Sequence, residues 1–134
     1  MTMTDETRVL NIIHRAEMTF DEGDFDAHMG LWAEVHFDSP FGKAASEEEY
    51  LGFMRGFYEQ VKSAGGTRHF VLNPVVTIDG DAAEVHAYLH IVNRSDGSFM
   101  GTSVIHDRLR RDEGGWRFVS RSVMPDQDLS QLVK

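Results

Sequence analysis

A chain of 134 residues that is 41% hydrophobic and 26% charged has the make-up of one water-soluble domain, long enough for a real core but not for two ordinary domains. Its net charge of −9 argues against a nucleic-acid partner, whose phosphates call for a basic face. The opening "MTMTDETRVL" does not lead a positive segment into an apolar run, nor does any stretch approach the ~18 apolar residues of a membrane span. The lack of cysteine excludes disulfides and thiol catalysis and fits a cytoplasmic setting.

The first helix is expected from about Thr4 to Phe20, where Val9, Ile12, Ile13, Ala16 and Phe20 recur at helical spacing behind a Thr4 or Asp5 cap. "DEGD" breaks it. "DFDAHMGLWAE" then reads as a short second helix presenting Phe25, Met29 and Trp32, and "VHFDSPFG" as a strand ending at Pro40 and Gly42. Ser46 and Glu49 form a capping box for a third helix, whose stripe of Tyr50, Phe53, Met54, Phe57, Tyr58 and Val61 must cover something. "SAGG" stops that helix.

Only strands follow: Thr67 to Asp79, Ala82 to Asn93, Phe99 to Arg111 and Trp116 to Met124, joined by "DGD", "SDGS" and "DEGG" turns. Three helices before a hairpin-linked antiparallel sheet make an α+β pattern with the helices on one face. A curved sheet wrapped around those helices leaves a conical pocket, the kind of concavity in which ligands bind.

Several groups carry possible chemistry. Asp21 ends the first helix, where the dipole prefers a cation, and its spacing alone favours a solvated turn acid. His69 shares a strand face with Val71 and Asn73, opposite Phe70 and Leu72. Its imidazole accepts a proton near neutral pH, and a carboxylate beside it would make a general base. His86, Tyr88 and His90 form a polar stripe on the next strand. With no carboxylate or cysteine seen at their spacing, the stripe reads as the outer sheet face and not as a metal site. Arg121 falls in line with Val119 and Val123, so an inward face would make it a buried cation in need of a partner. Gly-rich phosphate loops and zinc-protease helices are absent.

The order of elements, together with "FDEGDFDAH" and "GTRHF", resembles the SnoaL-like branch of the nuclear-transport-factor-2-like superfamily, and within it the scytalone dehydratases. The aromatic–Asp pair of those proteins matches Phe20 and Asp21, and their T-x-H-F strand start matches Thr67 to Phe70. Counting back from "WRF" puts a pocket serine at Ser103. The family's pocket tyrosine is replaced by Phe20, and its second pocket histidine has no counterpart, counting from Tyr88 leading near Ser95.

The resemblance implies that Asp21 orients His69 as the base, without metal or organic cofactor, to take a proton from carbon in a dehydratase-like lyase or isomerase reaction. It also implies an inward-facing His69 and Asn73, in a cavity roofed by Phe53, Met54 and Phe57 and walled by Trp32, Phe41 and Leu89. Ser103, Asn73 and Arg121 would orient a small, apolar, cyclic or aromatic substrate. Small subunits of ring-hydroxylating dioxygenases share an R-H-x-x-x-N strand like Arg68 to Asn73, so a non-catalytic small subunit or ligand-binding module is the alternative. Either way, a sheet covered on one face only is expected to pair into a homodimer or homotrimer.

Overall fold

The structure, a computed structural model, describes residues 2–127; the expected single domain over 1–134 therefore has its last seven residues and Met1 outside the described part. Helix α1 spans Asp5–Glu22, α2 Phe25–Met29 and α3 Glu47–Ser63, and the strands are β1 Phe37–Ser39, β2 Gly42–Ala44, β3 Thr67–Asp79, β4 Ala82–Asn93, β5 Phe99–Asp112 and β6 Gly115–Pro125. They form one six-stranded sheet in the order β2-β1-β6-β5-β4-β3. The α+β architecture is as expected. The segment expected to be one strand is instead a small hairpin, β1 and β2, and β1 joins the sheet parallel to β6.

Each helix begins where its sequence supplies an acceptor. Thr4 caps α1 by accepting the Thr7 N–H at 3.2 Å, and the Ser46 hydroxyl accepts the Glu49 N–H at 3.2 Å while Glu49 reaches back to the Ala45 N–H. Helix α1 turns Val9, Ile13, Ala16 and Phe20 onto the concave sheet face, together with Glu17 and Asp21. Opposite them stand Ala83, Val85, Ala87 and Leu89 of β4, Ile105 and Leu109 of β5, and Trp116 and Phe118 of β6. The convex face carries Phe70, Leu72, Val75, Tyr88, Val104 and Met124, all exposed.

Gly23 closes α1 in the left-handed region at φ 71°, its N–H bonded to the Phe20 carbonyl. A Cβ there would meet the Tyr58 ring at 2.6 Å. Gly23→Ala is therefore expected to cost at least about 1–2 kcal/mol from the left-handed backbone alone, read as a lower urea midpoint at unchanged slope. That glycine matters because the helix end it fixes carries Asp21.

Two bulges redirect side chains. In β3, Leu72 pairs with Tyr88 and Val75 with His86, so Asn73 and Pro74 together oppose Ala87. Asn73 takes φ 53° and is exposed, a conformation asparagine tolerates better than most residues. Asn73 does not share the inward face of His69 and Val71, as strict alternation implied; the extra residue resets the phase, and Val76 and Ile78 turn inward beyond it. In β6, Val119 is the extra residue, since Arg108 pairs with Ser120 and Leu109 with Phe118. Phe118 and Arg121 are thus both buried although three positions apart.

Candidate active site between α1 and β3

Asp21 is buried, not a solvated turn acid. One carboxylate oxygen accepts the His69 backbone N–H at 2.9 Å, and the other accepts the Thr67 hydroxyl at 2.9 Å and meets His69 Nδ1 at 2.6 Å. Three donors from the first turn of β3 thus replace the cation that the helix end would otherwise prefer. An ionised carboxylate only accepts, so Nδ1 carries the proton of the neutral ring and Nε2 holds the lone pair. Nε2 has no hydrogen-bond partner among the described residues. The edge of Phe20 packs on the imidazole, with centroids 5.5 Å apart and planes at 83°.

Burial by itself would lower the proton affinity of His69, but the Asp21 hydrogen bond and the negative charges of Glu17 and Asp21 outweigh it and hold the ring above its ordinary pKa. A cleft of about 530 Å3 opens beside the pair. Glu17, Asp21 and His69 border it with His14, Glu22 and Arg68, and its apolar lining is Met18, Val71 and the exposed Phe70 and Leu72 of the β3 edge.

The other expected pocket residues lie elsewhere. Trp32 packs on Tyr50 and Phe118 with centroids 4.9 and 5.1 Å apart. Phe53 lies against Phe37 and Phe57 at 5.5 and 6.1 Å, Phe57 against Phe20 and Phe41 at 5.8 and 6.2 Å, and Phe41 is largely exposed. Met54, Leu89 and Ser103 are buried, the last paired in register with Leu89. None of these seven borders the cleft. The rings satisfy one another by mutual stacking, so the aromatic stripe of α3 is core at this place and not the wall of the cleft that touches His69.

Arg121 is buried between two carboxylates, although its Nη2 is left without a hydrogen-bond partner among the described residues. Its Nη1 lies 2.6 Å from Glu17 of α1, and its Nε donates to Asp107 of β5 at 2.9 Å. Asp107 stands directly across from Arg121 in the β5–β6 register. Burial pushes the Asp107 carboxyl up to about 6 despite the guanidinium. Two members of the cluster act on His69 with opposite signs, the Glu17 charge raising its proton affinity and the Arg121 charge lowering it. Sequence reading assigned no role to Glu17, and to Thr67 only a place in the T-x-H-F match, yet both had a signal: Glu17 lies one helical turn before Asp21, and Thr67 lies on the same strand face as His69.

A second buried pair sits behind the site. His28 Nδ1 lies 2.8 Å from the Thr19 hydroxyl and Nε2 2.7 Å from Tyr50 Oη. Burial pushes His28 down to about 4, with the Arg121 charge helping. A histidine held neutral in the fold contributes stability above its unfolded pKa near 6.5, and that contribution is lost as pH falls towards 4. The stability difference between wild type and His28→Gln is therefore expected to shrink by up to about 3 kcal/mol between pH 7 and 4, followed by denaturant melts at each pH. A difference that stays constant would mean His28 is not held neutral.

Residues 1–122 match the family described as SnoaL-like domain. No curated protein matches the chain. Among solved structures, a protein of unknown function with a cystatin-like fold from Nostoc punctiforme is 27% identical, with a TM-score of 0.82 over 96% of this chain and 97% of that one. A nuclear-transport-factor-2-like protein of cystatin-like fold from Novosphingobium aromaticivorans is 25% identical, with a TM-score of 0.80 over 94% of this chain and 85% of that one. A protein from Streptomyces avermitilis, named provisionally as a dehydratase of the same superfamily, is 19% identical with a TM-score of 0.73, over 92% and 97% of the two chains, and shows the fold alone. No helix among the described residues is long and apolar enough to cross a membrane. With a family match over nearly the whole chain and a helix-filled curved sheet shared with these structures, the protein belongs to the SnoaL-like domain family, within the nuclear-transport-factor-2-like superfamily.

Proposed function

We propose that the protein is a cofactor-free lyase or isomerase of scytalone-dehydratase-like type, in which His69 takes a proton from carbon and Asp21 positions it. The observation that carries this is the 2.6 Å contact between Asp21 and His69 Nδ1 beside an open cleft, which leaves Nε2 as the free base. In an elimination the C–H bond breaks, its proton passes to Nε2, and its electron pair forms the new double bond as a hydroxide or halide departs. Phe20 stands where a tyrosine could have assisted departure, so substrates whose leaving group needs no proton suit the site best. Met18 and Val71 beside His69 offer a small ring compound an apolar contact, within a lining that also carries His14, Glu22 and Arg68.

The test is a panel of cyclic and aromatic carbon acids, with and without a leaving group, in deuterium oxide. Wild-type protein is expected to catalyse exchange or elimination on at least one of them, and His69→Ala to lose it. Equal activity in both proteins would remove the base assignment. The mutual packing of Phe20, Phe41, Phe53 and Phe57 favours a second reading, a non-catalytic module such as a dioxygenase small subunit. That reading is supported by wild-type protein inert across the panel and held by a large oxygenase subunit. Under both readings the exposed apolar convex face of Phe70, Leu72, Val75, Tyr88, Val104 and Met124 suits a homodimer or homotrimer in the cytoplasm.

A further inference from the structure

The polar stripe of β4 contains a carboxylate after all. Glu84 precedes His86 by two residues, so both project from the convex face, and the register sets His106 of β5 directly opposite His86. The two imidazoles lie face to face, 4.2 Å between centroids and 11° between planes. Glu84, His86 and His106 each offer a ligand atom, all within 4.8 Å of one another. His106 Nε2 is buried without a hydrogen-bond partner, 3.7 Å from Glu84 Oε2. Tyr88 and His90, which share the stripe, take no part.

We propose that Glu84, His86 and His106 form a binding site for a divalent transition-metal ion, zinc being the reference case. Two imidazoles and one carboxylate are the donor set that zinc, cobalt and nickel accept. Ligand bonds of about 2.0–2.2 Å put tetrahedral ligands about 3.3 Å apart. The ligand atoms would have to close in from within 4.8 Å by side-chain rotation, for which His86 is exposed and Glu84 half-exposed. Arg108 Nε lies 3.2 Å from Glu84 Oε1 and leaves Oε2 towards His106, an outer contact of the kind that orients metal ligands. Arg108 is also a nearby positive charge, so affinity rests on the imidazole donors. Room for water on the ion comes from an adjoining groove of about 330 Å3 that His106 and Arg108 border with His36, Asp38, Ser120 and Ser122. An ion there would satisfy the orphaned His106 nitrogen and clip β4 to β5.

The experiment is calorimetric titration of tag-free, metal-stripped protein with zinc chloride, repeated with cobalt for its visible absorption. One ion per chain is expected. His86→Ala, an exposed position that does not touch the core, should weaken binding at least about tenfold, as losing one of three protein ligands requires. The double variant His86→Ala with His106→Ala should abolish the cobalt band, and His90→Ala, on the same strand and face, should leave it unchanged. Absence of saturable binding by wild type up to about 1 mM, an affinity of only about 4 kcal/mol, would overturn the site. So would unchanged binding in the double variant, or equal loss on His90→Ala.

Discussion

Arg121→Met is expected to destabilise the fold by about 3–5 kcal/mol, the cost of leaving buried charges without their counter-ion. The methionine fills much of the same space, so packing contributes little to the loss. What remains is Glu17 and Asp107, both buried, with no cation between them. A loss of this size is a large part of the stability of an ordinary domain, and urea unfolding followed by tryptophan fluorescence measures it. Adding Glu17→Gln and Asp107→Asn to Arg121→Met should recover most of it, because neutral amides no longer need the guanidinium. If Arg121→Met costs under about 1 kcal/mol, in the range of an exposed ion pair, the cluster is wetter than its burial implies.

His69→Ala is expected to lower turnover of any accepted carbon acid by about 10²–10⁴-fold, the usual worth of a positioned general base. Asp21→Asn should fall less far and differently. The amide has one acceptor oxygen where the carboxylate has two, so it can serve either the His69 N–H or the Thr67 hydroxyl and His69 Nδ1 but not both sets. It also no longer supplies the charge that lifts the imidazole, so the rate should hold to lower pH with a smaller plateau. In wild type, activity should decline as pH falls through the raised His69 pKa, since only the neutral ring accepts a proton. The same shift has a stability sign. His69 binds its proton more tightly folded than unfolded, so its contribution is complete below about pH 6.5 and fades as pH rises through the folded pKa. Nitrogen-15 shifts of the His69 ring in wild type, Asp21→Asn and Glu17→Gln read the pKa directly. Both substitutions should lower it. An unmoved titration in Asp21→Asn would show that the 2.6 Å contact does not set the proton affinity.

The elements written by local rules were readable from the sequence. Caps at Thr4 and Ser46, the "DGD" and "DEGG" turns and the alternation of β4 all depend on neighbours in the chain, and each stands where its residues put it. The contact of Asp21 with His69 was to be expected from the resemblance and not from spacing, which favoured a wet Asp21. What stayed hidden depends on phase and register. One extra residue at Asn73–Pro74 reverses which side of β3 faces in, and alternation has no mark for it. Arg121 could be seen to need a partner, but Glu17 and Asp107 become its partners only through the rotation of α1 and the β5–β6 register. His86 and His106 are far apart in the chain and become neighbours only through the β4–β5 register. The aromatic stripe of α3 was seen correctly as a covering layer, while whether rings stack on one another or leave room between them is a matter of packing that periodicity does not encode.

The bulge in β3 has a bearing on solubility. β3 is an outermost strand of the sheet, thirteen residues long, and carries Phe70, Leu72 and Val75 on its exposed side. An unbroken edge of that length and greasiness is a template on which a foreign strand can grow in register. Pro74 brings no N–H to the edge, and Asn73 twists the backbone out of the pleat. Together they break the free rim into two short runs that a straight partner strand cannot follow end to end, so the kink that turns Asn73 away from the His69 face also works against strand addition along it.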